Sequence, residues 1–211
     1  LRRTEGIRYL TADQLKGDNK FIPILEVGGN NYAGSVVGIY QLNSDLRGNV
    51  IVNTARSASS SVSETTQAER LPRAYLIAFS TGVDKVFWYN LRALENLASN
   101  NEDNFGIIHK DFSVKPAYTA YKTLTTMCPD RSSRPDLQKR NNVYISSWIR
   151  PDGLKVSAIW SANIDHSVKL TVTGAFKAYN YLGNLVSLQK TNFVAKAGIV
   201  YIVGAKSVNI E

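Results

Sequence analysis

The chain has 211 residues, 44% apolar and 20% charged, the balance of an ordinary globular protein and not of a disordered one. Its formal charge of +8 comes from Lys and Arg residues scattered without a run or a basic helix, so specific nucleic-acid binding is not expected. A single cysteine, Cys128, excludes an internal disulfide and an all-cysteine metal site, and no stretch approaches the ~20 apolar residues of a membrane span.

The chain opens on Leu1 with neither a methionine nor a signal-like segment, which reads as a trimmed chain or a piece of something longer. Residues 7–16 space their apolar groups poorly for a helix, and Gly17 and Asp18 stop whatever forms there. "KFIPILEVGG" is a short apolar run with a glycine pair behind it, the pattern of a buried strand opening into a loop. Residues 29–62 are rich in Gly, Asn and Ser, with two apolar snatches in "SVVGIYQL" and "NVIVNT". A connection of that length is usually functional or disordered.

From Ser63 the period changes. Ala68, Leu71, Tyr75, Ala78 and Phe79 fall on one helical face behind a capping serine and acidic residues, with Pro72 expected to kink the helix or mark a second start. "VDKVFWYNLRA" then places Val86, Phe87, Trp88 and Tyr89 in a row before turning polar at Asn90 and Arg92. Either it is a core strand leaving into solvent or its carboxyl end floors a binding site. Pro116 seeds a second helix in "SVKPAYTAYKTL", with Ala117, Ala120, Tyr121 and Leu124 facing inward. Strands alternating with helices imply parallel sheet, because parallel neighbours need a crossover connection.

The character changes near residue 129. "CPDRSSRPDLQKRNN" has the prolines and charges of a linker. Only strand signals follow, in "VYISSWI", a turn at "RPDG", "LKVSAIWSA", "VKLTVTG", "FKAYNYLGN", "LVSLQ" and "AGIVYIVG", and their spacing predicts an antiparallel sandwich. The expected organisation is α/β over residues 1–128, a linker over 129–142, and an all-β sandwich over 143–211.

Three segments, "QAERLPRAYLIAFSTGVDKVFWYNLRA", "NFGIIHKDFSVKPAYTAYKTL" and "AYNYLGNLVSL" with "IVYIVG", together resemble the carboxyl-terminal portion of clan A glycoside hydrolases, nearest to family 39 and family 5-like enzymes. The resemblance covers roughly residues 63–204; it rests on the ordered series and on no single motif. It implies the last strands and helices of a (β/α)8 barrel followed by a β-sandwich, with "DKVFWYNL" as the eighth strand and "KPAYTAYKTL" as the eighth helix. Barrel active sites sit at the carboxyl ends of the strands, which answers the question raised by the aromatic run.

The same resemblance implies hydrolysis of a β-linked glycan by two carboxyl groups, without a cofactor or metal, in an extracellular or periplasmic setting. The family nucleophile is a glutamate ending the seventh strand, and Glu26 occupies the matching place, with Gly28 and Gly29 freeing the backbone to turn away. An ordinary exposed glutamate at a strand end is the competing reading. If "NVIVNT" is instead the seventh strand, its tip carries Asn53 and Thr54 and no carboxylate. Trp88 is the expected sugar-stacking platform, with core packing as the alternative, since Trp88 and Tyr89 face opposite sides of their strand. Asn90 and Arg92 are candidates for sugar hydroxyls or simply end the strand.

The family's acid/base motif, an asparagine followed by glutamate at the fourth strand, is nowhere in the chain, and two or so strands cannot close an eight-stranded barrel. A fragment, one chain of a split protein in which a second chain supplies the rest of the barrel, or a decayed relative that binds carbohydrate without hydrolysing it are the resulting expectations. His109 and His166 have no metal-ligand spacing and read as surface or sandwich residues. "VGGNN" lacks the lysine of a phosphate loop, and Trp148, Trp160, Tyr179 and Tyr181 suit a sandwich core better than a sugar-binding face.

Overall fold

The computed structural model describes residues 63–80, 91–96, 104–161 and 165–211, and the backbone of three further strands, β1 (Glu26–Gly28), β2 (Asn49–Ile51) and β3 (Lys85–Tyr89). Contacts divide the chain into two units, one of residues 1–67 and 74–118 and the other of residues 68–73 and 119–211.

In the first unit, β1 and β2 both run parallel to β3, as the strand and helix alternation requires. Glu26 pairs with Phe87 and Gly28 with Tyr89 on one edge, while Asn49 pairs with Lys85 and Ile51 with Phe87 on the other. The order β1-β3-β2 puts β3 in the middle, where a strictly sequential barrel order would put β2. A near-continuous apolar run suits a strand hydrogen-bonded on both edges, and β3 has that run.

Helix α1 (Glu64–Ser80) starts where Ser63 caps it, the Thr66 N–H donating to Ser63 Oγ at 3.1 Å. It runs through Pro72 as one element, so Pro72 does not mark a second start. Its burial is also broader than one face, since every residue from 71 to 78 is buried, while Thr65 is exposed and Glu69 and Arg70 are half-buried. Helix α2 (Pro116–Met127) has proline at its first position, which has no intrahelical N–H to lose, and buries Ala117, Ala120 and Leu124 as its spacing predicts. Among the described residues no helix is long and apolar enough to cross a membrane.

The second unit is antiparallel. A five-stranded sheet has the order β4-β5-β6-β11-β9, built from β4 (Asp136–Arg140), β5 (Val143–Ile149), β6 (Lys155–Ser161), β9 (Lys177–Asn180) and β11 (Val200–Val203). Two separate ladders join β7 (His166–Val168) to β10 (Phe193–Ala195) and β8 (Leu170–Thr173) to β12 (Ser207–Ile210). One apolar core unites the sheet, through Val143, Ile159 and Ile202, with both ladders, through Val168, Phe193, Leu170 and Val208. Tyr144 and Trp160 are cross-strand neighbours with rings stacked at 5.5 Å, and Trp148 meets Tyr201 edge-on. Trp148 and Trp160 are buried, as their composition context suggested, whereas Tyr179 and Tyr181 are half-buried.

The stretch 129–142, expected as a linker, contains β4 in its second half. Asn141 and Asn142 both take left-handed φ angles, 50° and 59°, and close a two-residue hairpin in which Arg140 pairs with Val143. Asparagine tolerates that conformation better than other side-bearing residues, and its twist matches the strands it joins. The expected "RPDG" turn is present, with Arg150 N–H donating to the Leu154 carbonyl at 2.9 Å and Gly153 at φ 80°.

Candidate functional site

The loop from residue 91 to 115 leaves the carboxyl end of β3 and ends at α2, so it occupies the position where parallel α/β sheets place their chemistry. It is folded back on itself by backbone pairing. Ala93 N–H donates to the Ile108 carbonyl at 2.9 Å, and the N–H groups of Ile107 and Ile108 share the Leu91 carbonyl. Gly106 sits where a Cβ would lie 1.9 Å from the Ala93 nitrogen, so no larger residue fits this crossing. The buried Gln67 of α1 reaches the Phe105 and Gly106 carbonyls from the other side, each at 3.4 Å. At the tip, Asp111 accepts from the Ser113 N–H and hydroxyl, and Phe112 takes φ 69°. Such a tight turn returns His109 toward residue 95.

Four ionisable side chains meet there. His109 Nδ1 lies 2.7 Å from Glu95 Oε1, and its Nε2 lies 3.6 Å from Oε1 of Glu64, in the first turn of α1. Lys115 is buried, with Nζ 3.8 Å from both of those carboxylate oxygens and donating to the Asn104 carbonyl at 3.4 Å. Lys110 donates its N–H to Glu95 Oε2 at 3.2 Å. Burial pushes the Glu95 carboxyl upward, but hydrogen bonds from His109 and the Lys110 N–H, with the charges of His109 and Lys115, outweigh it and hold the group below the usual carboxylate range. An ionised Glu95 only accepts, so the His109 proton facing it resides on Nδ1.

Chemically this network is closed. A general acid needs a carboxyl held above its ordinary value, and Glu95 is held the other way. The group therefore fixes the loop and leaves a shallow depression of about 610 Å³ beside Arg92, Glu95 and His109. Among the described residues no group of three or more His, Cys, Asp or Glu side chains could hold a metal ion.

The residues expected from sequence fall in different places. Glu26 opens β1 at the level of Phe87, and its side chain lies outside the described residues. Asn90, Asn53 and Thr54 also lie outside them. Trp88 lies against helix α1, its indole 6.5 Å from the Tyr75 ring at 21°, with Nε1 buried and without a partner among the described residues. Trp88 is half-buried. Arg92 is exposed, donates Nε to the Lys110 carbonyl at 3.1 Å and covers the Phe112 ring at 4.4 Å, so it shapes the loop. His166 opens β7, but His109, read as a surface or sandwich residue, belongs to the first unit's ionic network. Glu64, Glu95 and Lys115 carried no sequence signal, because nothing in their spacing reveals a loop that doubles back.

No protein-family model matches the chain, and no curated protein sequence does. Its fold does find a counterpart. The chain is similar to a solved family 39 glycoside hydrolase from the gut symbiont Bacteroides cellulosilyticus WH2. That overlap has a TM-score of 0.58 at 18% identity and covers 85% of this chain and 42% of the other. A looser overlap, with a TM-score of 0.43 at 13% identity, joins 72% of the chain to 37% of the catalytic domain of GH30 xylanase C from Talaromyces cellulolyticus. The chain thus spans less than half the length of either protein.

Proposed function

We propose that this chain carries the nucleophile side of a glycoside hydrolase acting on a β-linked glycan. The observation that carries the reading is the shared fold over 85% of the chain with a family 39 glycoside hydrolase. The parallel pairing of β1 with β3 supports it, although Glu26, expected to end its strand, is the first residue of β1 and is in register with Phe87. In this reading Glu26 attacks the anomeric carbon or activates water against it, and Asn90 holds a sugar hydroxyl. The acid/base carboxyl belongs to barrel strands outside this chain, in the same protein or in a second chain. For retention it stands about 5–5.5 Å from Glu26, and for inversion about 6.5–9.5 Å. An extracellular or periplasmic location and the barrel-plus-sandwich architecture belong to the same proposal.

The test uses the protein that carries this chain in whatever longer or two-chain form hydrolyses an aryl β-glycoside. A 2-deoxy-2-fluoro glycosyl fluoride slows release of the glycosyl-enzyme, so a retaining enzyme should acquire one sugar on the peptide containing Glu26, and Glu26→Gln should abolish both the adduct and turnover. Turnover indifferent to Glu26→Gln would remove the assignment. One observation favours a second reading, a carbohydrate-binding relative without hydrolysis: the carboxylates described beside the β3 loop are neutralised within their own network. Saturable oligosaccharide binding with no turnover in any form of the protein distinguishes it.

A further inference from the structure

The second unit contains a cleft of about 760 Å³ bounded by the later turns of α2, the β5–β6 turn, β9 and the end of β11. Its size is that of small-ligand sites, about 300–1,000 Å³. Its charged lining is basic: Lys122, Arg150 and Lys177 line it and no acidic side chain does, while Asp152 beside it balances the charge of Arg150 and leaves those of Lys122 and Lys177. A fourth cation, Lys190, lies 5.2 Å from the ring of Phe176 at the rim. Arg150 engages Asp152 through Nη2 at 2.9 Å, while its Nε is buried and has no acceptor among the described residues. The remaining wall is mostly apolar, from Met127, Leu154, Phe176 and Val203, with the half-buried Tyr179 and the buried Thr123 among them.

Aromatic ring, hydroxyl and guanidinium in one concavity match three features of one ligand class. The C–H face of a pyranose packs on a tyrosine ring, its hydroxyls exchange hydrogen bonds with threonine, and a carboxylate pairs with arginine or lysine. We propose that this cleft binds an acidic saccharide, an oligosaccharide bearing uronic-acid carboxylates, through residues none of which belongs to β1 or β3. A purely apolar ligand leaves the cations unmatched, and a bare inorganic anion leaves the ring and apolar wall unused. The inference concerns binding without turnover, so it stands or falls independently of Glu26.

The experiment is calorimetric titration of the full chain with trigalacturonate, with xylotriose as the uncharged counterpart, and with inorganic phosphate and a single-stranded oligothymidylate as competing anions. Trigalacturonate should bind saturably at least about tenfold more tightly than any of the other three, and Arg150→Gln and Lys177→Gln should each weaken it about tenfold. Arg150 also pairs with Asp152 in the β5–β6 turn, so if Arg150→Gln lowers the melting temperature the exposed Lys177→Gln decides. Equal binding of xylotriose, equal or tighter binding of phosphate or oligothymidylate, no saturable binding of trigalacturonate up to about 10 mM, or an unchanged affinity in Lys177→Gln each overturns the proposal.

Discussion

Glu95→Gln keeps the shape of a side chain and removes the charge on which the β3 loop converges. Lys115 is 3% exposed, and its Nζ stands 3.8 Å from Oε1 of Glu95 and equally far from Oε1 of Glu64. At an effective dielectric constant of about 20, one such pair has a gross attraction of about 4 kcal/mol. Lost hydration of Lys115 offsets most of this, and leaving the buried ammonium with one carboxylate instead of two should cost a net ~1–3 kcal/mol. In a chain of this length that corresponds to a fall in melting temperature of roughly 2–4 °C per kcal/mol.

The pH dependence has a fixed sign. The Glu95 carboxyl is lowered in the folded state, so its stabilisation is full above its unfolded value, about 4.3, and disappears as pH falls through the lower folded value. Melts followed by near-ultraviolet circular dichroism should therefore separate wild type from Glu95→Gln at pH 7, and the gap should close on acidification below about pH 4. A double cycle with Lys115→Met isolates the pair, with an expected coupling of about 1 kcal/mol or more. Equal melts at pH 7, or a gap unchanged in acid, would refute the network as the element holding this loop.

Trp148 donates its indole Nε1 to the Met127 carbonyl at 2.8 Å, so Trp148→Phe leaves that carbonyl unpaired and a void beside it, and a chemical melt should show a loss of about 2–4 kcal/mol. Gly183 has φ 86°, and a Cβ there would lie 2.9 Å from Thr123 Oγ1; Gly183→Ala should lower stability by about 1–3 kcal/mol, with Thr123→Ala, which removes the clashing oxygen, failing to restore it if backbone strain dominates. At the β4–β5 hairpin, Asn142→Gly should leave the melt unchanged or raise it slightly, whereas Asn142→Val should cost about 1–2 kcal/mol, because only the second forces a branched side chain into the left-handed region.

Legibility followed the range of the interactions involved. Local rules carried far: Ser63 as a cap, Pro116 as a helix start, the "RPDG" turn and the alternation in "VYISSWI" all depend on residues within a few positions of one another. "RNNV" was legible too, since paired asparagines between strand residues are a two-residue hairpin signal, but the charges and prolines around it read as linker. Pro72 shows propensity overruled by context, because the residues around it, 71–78, are all buried and have other contacts to hold them where one hydrogen bond is missing. Trp88 marks the limit of periodicity. Alternation says that one of Trp88 and Tyr89 faces a helix; only the position of Tyr75 says which.

The ionic network was invisible for a different reason. His109, Glu95 and Glu64 are separated by 14 residues or more along the chain, and they meet because Gly106 lets one strand of the loop cross the other at contact distance. A glycine crossing, an aspartate turn and a buried lysine between two carboxylates hold the described parts of the loop in place. Its own proton traffic is suppressed, because the carboxylate at its centre is held ionised by the groups that position it. In the proposed glycosidase such a loop would not compete for the proton of the leaving group, since Glu95 is already ionised. In the hydrolytic reading Glu26 is the nucleophile and the acid is a further carboxyl; in the binding reading the closed Glu95 network is all that the loop supplies, and the turnover of Glu26→Gln separates the two.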